Sequence, residues 1–405
     1  MTSALTGIRV VDLSRVLAGP WSTQNLADLG ADVIKIERPG VGDDTRHWGP
    51  PFVDRVDADG RDAAYFFCAN RNKRSLTLDF TLPEGQEALI ALIRQADVLV
   101  ENYKVGGLKK YGLDYAAVAQ LNPRLIYCSI TGFGQEGPYA ERPGYDALIQ
   151  AMGGLMSITG EPDGAAGGGP QKVGVAVVDL LTGLYATNAI LAALFHRERT
   201  GEGQQIDIAL LDVQVATLAN QAGNYLMGDE VPQRMGSAHP SIVPYQPVPC
   251  ADGYVMLAIG NDTQFASLCR AAGGSDIPSD PRFSTNEARV RHRQALLDWL
   301  LPVMQDRTVA EWCRLAEREH FPCGPINTID RVFHDPQVLA RGMQLTMISP
   351  AYGAVDLVAS PLRLSASPVS YRSAPPPLGE HTIEVLREIG YGDDKITRLR
   401  ETGAI

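Results

Sequence analysis

The chain of 405 residues is 45% hydrophobic and 20% charged, an ordinary globular composition with room for two domains. Its formal net charge of −11 argues against nucleic-acid or anionic-membrane partners, so any cations that matter must do so by position. No secretory leader pattern is visible, and the six cysteines are scattered without CxxC or metal-ligand spacing; we expect reduced thiols, no metal and a cytoplasmic protein.

Residues 7–14 read as a buried strand, 21–29 as a helix ended by Gly30, and 31–37 as a second strand closing on Glu37. This βαβ unit implies a parallel sheet. The turn after its first strand carries Arg15, Leu17 and Pro20 instead of GxGxxG, so a nicotinamide cofactor is not expected. Residues 39–63, rich in Gly, Pro and Asp, read as a loop. Strands at 74–80, 97–102 and 124–134 and a helix at 83–96 continue the alternation, which predicts a doubly wound α/β layer. Helices over 145–156 and from 179 onward cover it. Residues 197–207 read as a polar turn and 209–226 as a connecting helix. The character then changes to a smaller α+β domain over 228–325, with a hairpin at 243–260 that turns at Asp252 and Gly253, and helices at 262–272, 289–305 and 308–320. Residues 353–365 read as a strand pair and 382–390 as a helix. The resulting division is a large domain begun by 1–205, a linker helix at 206–227, a small domain at 228–325, a return linker at 326–350, and 351–405 completing the large domain.

The apolar segment 173–196 carries one acid, Asp179. Asp179, Thr182, Thr187 and Asn188 interrupt it too often for a membrane span. An unpaired carboxylate there is costly to bury, so Asp179 either caps a helix or does chemistry. The cations of the first half fall near strand ends. Arg38 follows the second strand, Arg71, Lys73 and Arg74 precede the third, and Lys104, Lys109 and Lys110 follow the fourth. Ligands of open α/β sheets bind outside the carboxyl ends of strands, so the set suggests a phosphorylated ligand; solvated surface charge is the alternative. Asp146, beside Tyr145, stands where a loop enters a helix and could be its N-cap. His239 lies in a loop punctuated by Gly236, Pro240 and Pro244 and has acid–base potential.

Taken together, DLSRVLAGP (12–20), LADLGADVIKIERPGVGDDTR (26–46), NRNKRS (70–75), VENY (100–103), GFGQEGP (132–138), GYDA (144–147), VDLLTG (178–183), RTGEGQ (199–204), CGPIN (323–327) and PPPLGEHT (375–382) resemble the class III CoA-transferases, the carnitine and bile-acid CoA-transferase family. The resemblance runs along essentially the whole chain. GDDTRHWGPPFV (42–53) and AHPSIVPYQ (238–246) look most like the succinate–hydroxymethylglutarate, or glutarate, branch.

The resemblance implies a Rossmann-like large domain made by both chain ends, a small α+β domain, and an interlocked homodimer. It implies that Asp179 is the catalytic carboxylate, forming a mixed anhydride and then an aspartyl-CoA thioester, with N–H groups of its own helix steadying the oxyanion. Coenzyme A enters as a thioester substrate, with no permanently bound cofactor. By motif, Val16, Arg38, Asn70, Arg71, Asn72, Lys73, Asn102, Tyr103, Lys104 and Lys110 would line the CoA site, with Tyr145 and Asp146 near the reacting carboxylate. His239, Ser241 and Tyr245 are candidates for the distal carboxylate of a dicarboxylic acid. The loop 234–244 lies where other members carry a glycine-rich lid, although GSAHPS is less glycine-rich. Formyl-CoA transferases have Gln where this chain has Leu17. An α-methylacyl-CoA racemase on the same fold is the alternative activity, but it needs a base where Tyr145 stands. A non-catalytic CoA-binding protein is a third reading.

Overall fold

The computed structural model describes residues 3–405. The chain divides into two compact units. The first comprises residues up to Gly154, Val173–Gly223 and Gln337–Ile405. Its strands are β1 (Arg9–Asp12), β2 (Asp32–Glu37), β3 (Phe52–Asp54), β4 (Arg61–Ala63), β5 (Lys73–Thr77), β6 (Val98–Glu101), β7 (Ile126–Thr131) and β8 (Gln204–Ala209). β3 and β4 pair as a hairpin; the others form one six-stranded sheet in the order β5-β2-β1-β6-β7-β8. Every pairing in that sheet is parallel. The central strands are apolar on both faces, as a sheet covered by helices on both sides requires.

The helices that follow these strands are α1 (Ala18–Asp28), α2 (Ala64–Phe67), α3 (Pro83–Ile93), α4 (Tyr115–Leu121), α5 (Asp146–Met152), α6 (Leu155–Ile158, in the second unit), α7 (Val177–Thr200) and α8 (Leu210–Thr217). α7 is long and apolar enough to cross a membrane by length and composition. Here it is a core helix: Val178, Ala186, Ile190 and Ala193 pack with β-strand residues such as Val98 and Ile126. Its crossing with α1 is close at Gly183, where a Cβ would meet the Ala18 carbonyl oxygen at 2.7 Å. Thr187 donates to the Ser22 hydroxyl across the same contact, at 3.1 Å.

The predicted polar turn at 197–207 is a different object. α7 runs on to Thr200, Gly201 ends it with φ 82°, and the chain enters the edge strand β8. β8 escaped notice because its accessibility alternates, and alternate polar residues lie toward solvent. The connecting helix is also broken, into α8 and α9 (Ala219–Gly228), where Ala219 takes φ 46°.

The second unit comprises Leu155–Lys172 and Asn224–Pro336. Strands β9 (Tyr245–Cys250) and β10 (Gly253–Ala258) form the expected hairpin, and β11 (Cys323–Pro325) adds to it. Helices α10 (Asp262–Ala271), α11 (Asn286–Arg291), α12 (Arg293–Gln305) and α13 (Val309–Glu319) enclose a core around Val255, Phe265, Leu300 and Trp312. α13 begins with a reciprocal Thr308–Glu311 capping box. Short helices α14 (Ile329–Phe333) and α15 (Pro336–Ala340) lead back to the first unit.

There β12 (Gln344–Ser349) pairs with β13 (Gly353–Val358). The predicted strand pair within 353–365 is therefore one strand paired with the segment before it. Last come α16 (Thr382–Glu388) and α17 (Asp393–Glu401). Val385, Leu386 and Leu399 join the core against β2, β5 and α3, and the His381 amide donates to the Ser75 carbonyl at 2.9 Å.

Candidate active site

Asp179 is the third residue of α7 and lines a cavity of about 190 Å³ with Leu17, Ala18, Asn102, Tyr103, Lys104 and Tyr145, among others. The carboxyl ends of β1, β6 and β7 open onto this cavity, as an open parallel sheet predicts. Desolvation and the nearby Asp146 carboxylate together raise the Asp179 pKa to about 7. No cation acts on Asp179 among the described residues.

Asp146 explains how α7 starts. No side chain of the residues just before α7 caps it. Asp146 of α5 instead reaches across and accepts from the amides of Val178 at 2.8 Å and Asp179 at 3.3 Å. Gln150 holds the same carboxylate at 2.6 Å. Asp146 is thus a cap, but for α7 and not for its own helix. The arrangement also removes an expectation. The Val177 amide donates to the Val175 carbonyl and the Leu180 amide to that of Ala176, so the first-turn N–H groups of α7 are all engaged. They are not available to a developing oxyanion.

The start of α1 differs. Val16 stands at φ 71°, a conformation costly for a β-branched residue. Three groups hold the strap around it. Lys35 donates to the Ser14 carbonyl at 2.9 Å. Asn102 accepts from the Arg15 amide at 3.0 Å and donates to the Arg15 carbonyl at 2.8 Å. Asp43 accepts from the Val16 amide at 3.2 Å. Asp43 is itself paired with Lys35 at 2.8 Å, fully buried; although burial pushes its pKa up, Lys35 and Thr45 bring it down to about 2. The strap delivers Leu17 and Ala18 to the cavity wall, and no group among the described residues accepts from their amides.

A second cavity of about 430 Å³ lies beside the first, sharing Arg15, Asp44 and Tyr103 with it. Arg38 and the segment 78–81, at the carboxyl ends of β2 and β5, complete it. Glu37 lines this cavity, but its carboxylate is buried, bonded twice to Arg46 at 2.8 Å and to Ser75 at 2.6 Å.

Of the residues named from sequence, the structure brings Asp179, Val16, Asn102, Tyr103, Lys104 and Tyr145 to the first cavity and Arg38 to the second. The 70–73 segment lines neither cavity and is held by internal contacts. Asn70 donates to the Phe66 carbonyl, Arg71 pairs with Asp28, and Asn72 bridges Asp28 and the Ser370 carbonyl. Lys73 is buried against Asp12 at 3.1 Å, and burial lowers its pKa to about 8. Asn70, Arg71 and Asn72 precede β5 and Lys73 begins it, so the segment occupies the amino end of the strand, away from the ligand-facing end of the sheet. Lys110 is exposed, over the Tyr111 ring, and lines neither cavity. In the second unit His239, Ser241 and Tyr245 do cluster. The Ser241 amide donates to His239 Nδ1 at 3.0 Å, and the His239 and Tyr245 rings lie 5.3 Å apart. Sequence reasoning missed Asp43 and Lys35; only the charge within the apolar DVIKIE strand was a visible signal, for Lys35.

A parallel α/β layer with one carboxylate at a helix start, in a cleft walled by cations, defines the architecture. The model of CoA-transferase family III matches residues 5–382. The chain is 51% identical over 385 residues to the succinate–glutarate CoA-transferase of Agrobacterium fabrum, covering 95% of each protein. It is 43% identical over 402 residues to the human succinyl-CoA:glutarate CoA-transferase, covering 99% of this chain and 90% of that one. A crystal structure of a CAIB/BAIF family protein from Brucella suis superposes with a TM-score of 0.85 at 49% identity, covering 96% of this chain and all of that one. The chain belongs to CoA-transferase family III and is a transferase.

Proposed function

We propose that the enzyme moves CoA from succinyl-CoA to glutarate or a closely related dicarboxylate through Asp179. The observation that carries the proposal is a carboxylate raised to about 7, in no salt bridge among the described residues, in a cavity that adjoins a larger groove. The names of the relatives supply the substrates.

The Asp179 carboxylate attacks the thioester carbonyl and expels CoA thiolate, leaving a mixed anhydride. The thiolate then attacks the aspartyl carbonyl carbon, which releases succinate and leaves CoA on Asp179. The acceptor carboxylate reverses both steps. One thioester replaces another, so no ATP is consumed. Partial desolvation keeps Asp179 nucleophilic, and no salt bridge among the described residues damps it. The unengaged Leu17 and Ala18 amides are the donors for the oxyanion. Coenzyme A is a substrate, not a resident cofactor. Its adenine nucleotide fits the larger groove, where Phe80 and Tyr103 offer aromatic faces and Arg38 a guanidinium. Val16, Asn102 and Lys104 flank the path from that groove to Asp179.

We read the first unit as the Rossmann-like large domain and the second as the small one, in an interlocked homodimer. Leu184, Tyr185 and Phe195 of α7, left exposed on a single chain, support a covering partner. The six free thiols suit a reducing cytoplasm. A racemase would need a base at 145–146. Tyr145 offers only a phenol there, and the Asp146 carboxylate is engaged by α7.

The test is chromatography of CoA esters after mixing enzyme, succinyl-CoA and glutarate. Glutaryl-CoA should form in step with free succinate, and Asp179→Ala should abolish both. Full activity in that variant would remove Asp179 from the mechanism.

A further inference from the structure

Both succinyl-CoA and glutarate carry a second carboxylate, at the far end from the reacting carbon. That charge needs a counterion. Asp179 and Asp146 are both acidic, and no cation acts on Asp179, so the counter-charge must come from elsewhere on the cavity wall. The cluster of His239, Ser241 and Tyr245 supplies no formal charge while the His239 Nδ1 accepts from the Ser241 amide.

Three cations line the cavity: Arg15, Lys104 and Arg142. Two of them have other engagements. Arg15 pairs with Asp44 at 3.3 Å, lies over the Tyr103 ring, and is shared with the larger groove. Lys104 also lines a small pocket of about 50 Å³ beside the buried Glu101. Arg142 lines the Asp179 cavity and neither of these.

Arg142 is also held in place. Its guanidinium lies 4.0 Å above the Tyr139 ring, and Tyr139 stands edge-on to Phe133 with centroids 5.6 Å apart. The Arg142 amide donates to the Tyr139 carbonyl at 2.9 Å. The loop is pinned to the end of β7 where Gly132 and Gly144 meet: a Cβ on Gly132 would fall 2.6 Å from the Gly144 Cα. Stacking covers one face of the guanidinium and leaves its N–H fork free to bind a carboxylate bidentately.

We infer that Arg142 is the subsite for the free carboxylate of the dicarboxylate, and so sets the preference of the enzyme for diacids. This rests on the transferase reading above. The rival role for the same guanidinium is a contact to a CoA phosphate, and the two roles separate experimentally.

The experiment compares the full-length enzyme with Arg142→Met and Arg142→Lys, using succinyl-CoA as donor. Two quantities are read: kcat/KM for glutarate, which reports the reaction of the CoA-loaded enzyme with acceptor, and the inhibition constant of free CoA. Arg142→Met should lower kcat/KM for glutarate about 100-fold and leave the CoA constant within about threefold, as loss of a hydrogen-bonded contact between two charged groups predicts. Arg142→Lys, which keeps the charge without the fork, should fall between. Valerate, a monocarboxylate of the same chain length, should lose little in Arg142→Met, so the preference for glutarate over valerate collapses. Unchanged glutarate kinetics would overturn the assignment. So would a CoA constant that rises tenfold, which would make Arg142 a phosphate contact. If the unaltered enzyme forms no glutaryl-CoA, the succinyl-CoA:glutarate reading itself fails, and this subsite fails with it.

Discussion

Asp179 and Asp146 place two carboxylates at one helix start, and their coupling makes the chemistry pH-dependent. The nucleophile must be ionised, so kcat/KM should climb about tenfold per unit as pH rises toward 7 and level off above it, given the raised pKa of Asp179. Asp146→Asn keeps an oxygen for the Val178 amide but removes the like charge. The inflection in a pH–rate profile should therefore fall by about one unit, stopping above the ordinary carboxylate value because desolvation persists. The same shift affects stability. The folded chain holds a proton on Asp179 up to about 7, whereas the unfolded chain releases it near 3.8. Between those values the folded state binds more protons, so stability contributed here is present at low pH and lost as pH rises through that window. Asp179→Asn should accordingly unfold later than the parent at pH 8, by roughly 1–3 kcal/mol, and with little difference at pH 4, as denaturant titrations would show. Asp179 was legible from sequence as a lone acid in an apolar segment. The service Asp146 gives to another helix was not, because it joins residues 32 positions apart.

The elements that make the site are the strap before α1 and the start of α7. The strap stores strain at Val16, and the buried Lys35–Asp43 pair holds it there. Asp43→Asn should cost about 3–5 kcal/mol, since it leaves Lys35 without its closest acid, and should lower kcat more than it changes KM for succinyl-CoA. Adding Val16→Gly should return part of the lost stability, because glycine accepts a positive φ without penalty. Thermal unfolding of the single and double variants checks this; no recovery would mean the strain is not what Asp43 restrains. Strand alternation made most of the sheet readable in advance. β8 and β12 were missed because edge strands and exposed hairpins carry polar residues on one face, and local hydrophobicity then resembles a loop. The cations at 71–74 misled for a related reason. Sequence shows that a charge adjoins a strand but not whether buried acids such as Asp12 and Asp28 already claim it.

At the scale of the whole molecule, the chain leaves the first unit and returns to finish it. Residues after Gln337 supply a hairpin, the cover over β5 and part of the core. Removing 372–405 would expose Leu76, Leu89 and Leu92, whose partners include Val385, Leu386 and Leu399. Such a truncation should yield aggregated protein with no cooperative unfolding transition, whereas removal of only the last residue should be tolerated; scanning calorimetry distinguishes the two.

The returning tail also sets a schedule. A ribosome makes β5 long before α16 and α17. At roughly 5–20 residues per second, the flank of β5 waits tens of seconds for the segment that buries it. During that interval the nascent chain displays an unclosed apolar surface, although every strand of its sheet has already been made. Its dependence on chaperones should therefore be greatest while the segment before α16 is being made, and slowing synthesis there should reduce yield more than slowing it before β1.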